Sequence, residues 1–170
     1  DFKLCNDTLG HSAGDAALRT MVKTVKHCIR KTDILIRYGG DEFILILQNI
    51  KKENFFNKLV QIQSDIHAAN VPGFPKLQLS VSIGGVISSK ETIEHAVMQA
   101  DKLMYQAKEH KNMVVTEDNA SYVAPGVANR KARQQILIVD DSEMNRAILS
   151  EMLKKDFGIK DRLLRLVLII

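Results

Sequence analysis

Gly39, Gly40, Asp41 and Glu42 stand in succession within residues 34–47, a stretch that reads ILIRYGGDEFILIL. Glycines without Cβ atoms let another group approach the backbone closely and take φ > 0 at little steric cost. Two adjacent carboxylates repel one another unless a cation lies between them. The pair therefore suits a hard divalent ion such as Mg²⁺, with Mn²⁺ as the alternative. A metal beside bare backbone is a seat for a nucleotide phosphate. The competing reading is an ordinary hairpin with solvated acids at its tip.

Such a turn has to be held by its flanks. The two apolar runs on either side of it predict a β-hairpin over 34–47. Upstream, Ser12 followed by Asp15 resembles a capping box, and Leu18, Val22, Val25 and Ile29 recur at helical spacing to about Lys31. Phe55, Leu59, Ile62 and Ile66 line one face of a second helix, which Pro72-Gly73 ends as a turn. Leu77, Leu79, Val81 and Ile83 alternate with polar residues as a half-buried strand would. Ile93, Val97, Ala100, Met104 and Ala107 make the inner stripe of a third helix, and Met113–Thr116 reads as a short closing strand. Strands separated by helices, with a hairpin among them, indicate an α/β or α+β sandwich of one sheet covered by helices.

The 170 residues hold one domain of ordinary size with little left over. A hydrophobic content of 45% beside 26% charge describes a globular chain, not a disordered one. Lys and Arg exceed Asp and Glu by 24 to 20 without forming a basic tract, so nucleic acid is not an expected partner. Cys5 and Cys28 fall into no metal spacing, and Cys28 lies on the apolar side of the first helix. That usage fits a reducing cytoplasm, and the longest apolar run, 166–170, is too short to span a bilayer. Residues 117–134 have no periodicity and read as a linker. Beyond them, 135–139 form an apolar strand ending in Asp140-Asp141, and Ser142 precedes a helical stripe of Met144, Ile148, Leu149 and Met152.

Around the acidic turn stand further motifs. Phe2-Lys3, Asn6-Asp7, Gly10-His11 and Gly14-Asp15 precede it; Ser80-Val81-Ser82-Ile83-Gly84 and Ala100-Asp101-Lys102-Leu103-Met104-Tyr105-Gln106-Ala107-Lys108 follow it. Together, in this order, they resemble the GGDEF family of diguanylate cyclases over residues 1–116. The resemblance implies a nucleotide-cyclase-like fold, related to the ferredoxin-like βαββαβ plan, with a mostly antiparallel central sheet flanked by helices. Because the opening residue already lies inside the first motif, the chain reads as a fragment cut at both ends. The family's first strand would precede residue 1, so a gap beside the hairpin is expected. A fragment lacking that strand and its metal carboxylate is expected to be poorly stable and inactive. Residues 135–170 resemble the beginning of a response-regulator receiver, truncated before the strand that bears the phosphorylatable Asp. There Asp140 and Asp141 would be the acidic pair, and an intact receiver would be served by a histidine kinase.

The family's reaction condenses two GTP into cyclic di-GMP with release of two pyrophosphates, in a homodimer, since one site holds one GTP. By resemblance, Asp41 is metal ligand and proton acceptor, and Glu42 the second acid of the metal pair. Asn6 and Asp15 would read guanine, although Asp15 also suits the dipole of a helix's first turn. His11 matches another substrate contact, and Phe2 and Lys3 fall in a loop whose amides wrap the β- and γ-phosphates. Lys108 and Lys111 would hold phosphate, or else simply favour a helix C-terminus. Arg30 and Asp33 fit the RxxD site at which product inhibits, and a solvated helix end is the alternative. Two rival readings remain. One is a catalytically idle domain that senses GTP or cyclic di-GMP, and the other is a relay for the receiver. The unaltered Gly-Gly-Asp-Glu turn favours the enzyme.

Overall fold

A computed structural model describes residues 2–88, 92–122 and 164–169. Helices α1 (Phe2–Leu9) and α2 (His11–Cys28) lead into a hairpin of β1 (Ile34–Gly39) and β2 (Glu42–Ile46). Then follow α3 (Lys52–Ala68), β3 (Ile83–Ser88), α4 (Ile93–Glu109), β4 (Met113–Thr116), β5 (Ala120–Tyr122) and β6 (Leu164–Ile169). The six strands form one sheet in the order β1-β2-β6-β3-β4-β5. Only β3 and β4 run parallel; every other pairing is antiparallel.

Each face of the sheet carries its own core. On one side Met21 and Val25 of α2 and Phe55, Leu59, Ile62 and Ile66 of α3 pack on Phe43, Leu45, Ile83 and Ile169. On the other, Ile93, Ala96, Val97, Ala100 and Met104 of α4 cover Ile44, Ile46 and Val86. Alternation along β2 sends Phe43 and Leu45 one way and Ile44 and Ile46 the other, so this strand is buried on both faces. Burying each such side chain contributes about 1.5–3 kcal/mol. The close approach of α4 depends on Gly84, where a Cβ would lie 2.6 Å from the Met104 Cα.

Three expectations change. Ser12 caps nothing: α2 begins at His11, and Gly10, with φ 83°, turns the chain between α1 and α2. The Gly10 amide closes α1 on the Asn6 carbonyl at 2.9 Å, and the next helix starts two residues too early for Ser12 to cap. The strand expected over 77–83 starts only at Ile83. Upstream of it the backbone is matched to side chains instead: Gln63 Nε2 donates to the Val81 carbonyl at 2.9 Å, and the His67 ring pairs with the Leu79 carbonyl at 3.1 Å. Within the span expected to be linker, Ala120–Tyr122 pairs with β4.

The largest difference lies at the centre. The gap expected beside the hairpin is filled by β6, antiparallel to both neighbours, with Phe43 opposite Ile169 and Ile169 opposite Ile83. Among the described residues β6 is the only strand joining the hairpin to β3. The receiver expectation otherwise falls outside the described residues, Asp140 and Asp141 included.

Candidate functional site

The hairpin delivers its acids where the sheet ends. Gly39 pairs with Glu42, leaving Gly40 and Asp41 as the two turn residues, and the register slips between Arg37 and Gly39. Gly40 takes φ 25°, a conformation that a Cβ would strain. Arg37 fixes the turn from below. Its Nε and Nη2 both donate to the Gly40 carbonyl, at 3.0 and 2.8 Å. Asp41 and Glu42 are half-buried. The Glu42 carboxylate folds back over the turn, with Oε2 3.8 Å from the place a Gly39 Cβ would occupy. Sequence reading passed over Arg37, although a basic side chain three residues before the turn was the available signal.

Register then shows what shares this end of the sheet. Phe43, Ile169 and Ile83 form one rank across β2, β6 and β3, so β3 starts about 10 Å from the head of β2, at two strand spacings. Ser82, just before that rank, donates from Oγ to the Ala107 carbonyl at 3.3 Å. The C-terminal end of α4, with exposed Lys108, therefore lies at the same end of the sheet as Asp41. Lys111 follows in the left-handed region at φ 53° and is exposed. Asn112, also at positive φ, holds a buried Oδ1 without a hydrogen-bond partner among the described residues.

The α1–α2 corner carries the second group of expected residues. Phe2 and Lys3 open a helix, not a loop, so their amides are among the N–H groups that a helix start leaves without intrahelical acceptors. Asn6 is half-buried, and its Oδ1 is a buried acceptor without a partner among the described residues. Asn6 and Phe2 lie over Gly14, where a Cβ would collide with the Asn6 side chain and come within 3.1 Å of Phe2 Cε2. Gly14 is thus a close-approach residue that lets α1 pack on α2. His11 and Asp15 are exposed, and among the described residues the ion-pair partner of Asp15 is Arg19, at 3.9 Å. The hairpin stands one helical turn away: Leu18 and Arg19 share a groove with Arg37 and Phe43.

At the far end of the hairpin, Asp33 is occupied. Its two carboxylate oxygens accept the backbone N–H groups of Arg30, at 2.8 Å, and Gln48, at 3.0 Å, tying the turn before β1 to the chain leaving β2. Arg30 is exposed and lines a cavity of about 420 Å³ with Asn49, Asn54, Asn57, Lys58 and Gln61. Cys28 lies nearby in sequence but offers no nucleophile at neutral pH. Burial, together with its hydrogen bond to Asp65 at 3.2 Å, pushes the thiol up to about 11.

No group of three or more His, Cys, Asp or Glu side chains that could hold a metal occurs among the described residues. The donor set at the turn still fits one, because Mg²⁺ is commonly held by one or two carboxylates with waters and substrate phosphates completing its shell. No helix among the described residues is long and apolar enough to cross a membrane.

Comparison with known proteins identifies the family. Residues 1–113 match the family described as diguanylate cyclase, GGDEF domain. The chain belongs to the GGDEF family. Diguanylate cyclase A of Treponema denticola is 34% identical over 124 residues, which are 69% of this chain and 33% of that protein. Diguanylate cyclase DgcS of Shewanella oneidensis is 37% identical over 111 residues, 64% of this chain and 36% of that protein. Diguanylate cyclase DgcM of Escherichia coli is 30% identical over 107 residues, 63% of this chain and 26% of that protein. The chain thus spans about a third of the length of these relatives. Its turn keeps the family's glycines and both acids unaltered.

Proposed function

We propose that this GGDEF domain binds GTP and, within its intact protein, condenses two GTP into cyclic di-GMP. The observation that carries the reading is the Gly40–Asp41 turn, held by Arg37 at the head of β2 in a chain that matches the cyclase family over residues 1–113. In the reaction each 3′-hydroxyl attacks the α-phosphorus of the other GTP, a P–O bond forms, and pyrophosphate leaves. Asp41 accepts the hydroxyl proton. Asp41 and Glu42 would hold Mg²⁺, or Mn²⁺ in its place, which supplies charge neutralisation on the phosphates. Lys108 and Lys111 add positive charge at the same end of the sheet. Two GTP require two sites, hence a homodimer. A receiver completed beyond Asp140 and Asp141 would take its phosphoryl group from a histidine kinase.

Base choice falls to Asn6. Guanine presents donors at N1 and N2, and the unpartnered Asn6 Oδ1 is an acceptor waiting for one. Adenine has a bare acceptor at N1 and no amine at C2, so in the same pose it would leave that oxygen unsatisfied, a loss that separates related ligands strongly. Calorimetric titration with GTP and ATP is the test. GTP should bind in the presence of Mg²⁺ at least about tenfold more tightly than ATP, one unsatisfied buried acceptor costing about 1–3 kcal/mol. Asn6→Ala should close most of that gap. Equal affinity for the two nucleotides in the unaltered protein would remove the reading.

Arg30 and the cavity beside it serve as the product-binding site in the same proposal, with Arg30 as the anion-gripping group. Asp33 differs, because its carboxylate already ties two backbone amides together. Arg30→Ala should relieve inhibition by cyclic di-GMP with an unchanged melting temperature. Asp33→Ala should lower stability by about 1–3 kcal/mol, since two amides lose their acceptor. Thermal melts beside inhibition curves separate the two roles; a destabilised Arg30→Ala would contradict the division.

A further inference from the structure

On its exposed side α2 carries Arg19, Lys23 and Lys26 at spacings of four and three, a single stripe of cations. Like charges at this spacing repel, costing a few tenths of a kcal/mol per pair unless an anion lies among them. Among the described residues the only ion pair on the stripe is Arg19 with Asp15, at 3.9 Å and largely in water. The stripe borders an open groove of about 420 Å³ between α2 and the hairpin, lined also by Leu18, Val22, Arg37 and Phe43. Small-molecule sites typically enclose about 300–1,000 Å³, with an apolar lining and a few convergent polar groups.

Arg37 makes this groove more than a basic patch. Two of its N–H groups are spent on the Gly40 carbonyl, and a guanidinium has five, so among the described residues three remain for a ligand. The same side chain that sets the acidic turn therefore forms one wall of the groove. We propose that the groove between α2 and the β1–β2 hairpin binds a small amphiphilic anion, an apolar ring system bearing an acidic group, and that Arg37 transmits its occupancy to the Gly40–Asp41 turn. The ring lies on Val22 and Phe43, while the acid meets Lys23, Lys26 and the free N–H groups of Arg37. An anion drawn to the guanidinium competes with the Gly40 carbonyl for it, and Asp41 is the next residue along.

The test uses the whole chain and a probe of this chemistry, 8-anilinonaphthalene-1-sulfonate, without any nucleotide, so its outcome is independent of the proposed cyclase activity. Saturable binding of one probe per chain is expected, at least tenfold weaker in the Lys23→Gln/Lys26→Gln variant, whose melting temperature should match the parent's. The uncharged N-phenyl-1-naphthylamine should also bind at least tenfold more weakly than the sulfonate. In ¹⁵N-resolved spectra the Gly40 and Asp41 amide signals should move on saturation, and in Arg37→Met they should stay still even at full occupancy. Equal affinity for the charged and uncharged probes overturns the anion site. So does undiminished binding to the double variant. Binding that leaves the Gly40 and Asp41 signals in place overturns the link through Arg37.

Discussion

Asp41→Ala in the full-length protein is expected to abolish cyclic di-GMP synthesis and leave the fold intact. Asp41 stands at the second position of a two-residue turn, half-exposed, and contributes no packing to either core. Substitutions at such positions usually change stability by no more than about 0.5 kcal/mol. Two functions would be lost together: the acceptor for the 3′-hydroxyl proton, and one of the two carboxylates placed to hold a divalent ion. Several kcal/mol of transition-state stabilisation correspond to a rate loss on the order of a thousandfold or more. Chromatographic detection of product from GTP and Mg²⁺ measures this directly, with a thermal melt as the control. Glu42→Gln should lose less, because it leaves the proton acceptor in place. Synthesis by Asp41→Ala within tenfold of the parent would show that the turn does not carry the chemistry.

Much of this site was legible in the residues because its parts are local. A hairpin closes between neighbours in sequence, so the apolar runs and two glycines of 34–47 were enough to place the turn. Helical periodicity likewise located α3 and α4. What failed depended on longer reach. Ser12 looks like a cap until one knows that Gly10 has already turned the chain. Val81 and Leu79 alternate as strand residues do, yet their carbonyls are taken by side chains from α3, more than ten residues distant. Arg37 reads as an ordinary residue of a half-exposed strand, and its grip on Gly40 becomes visible only when the slipped register turns its side chain toward the tip. Gly14 stands in the sequence as part of a motif, and its physical reason is the Asn6 side chain lying where its Cβ would be. Least legible was β6. Apolar composition marks 164–169 as a strand or buried helix segment, but nothing local states which sheet receives it.

That strand supports the second large effect, expected from Val167→Pro. Val167 pairs with Leu45 on one side and Gly85 on the other, in the middle of β6 and so in the middle of the sheet. Proline there removes a ladder donor and places its ring against a neighbouring strand, which a central strand does not tolerate. The cost should be about 3 kcal/mol or more, a large share of the 5–15 kcal/mol that typical domains possess. The consequence reaches the site, because β6 alone joins the hairpin to β3 among the described residues. With β6 displaced, β2 and β3 each present an open edge, and the rank Phe43, Ile169, Ile83 that holds Asp41 and the α4 terminus at one end of the sheet is broken. Hydrogen exchange should therefore report simultaneous loss of protection at Phe43–Ile46 and Ile83–Val86. An equivalent proline at Ser121, in the edge strand β5, should leave both stretches protected. If Val167→Pro kept the amides of β2 and β3 protected, the sheet would have to be closed by something other than β6. The route by which the hairpin and the α4 terminus come to one end of the sheet would then need another account.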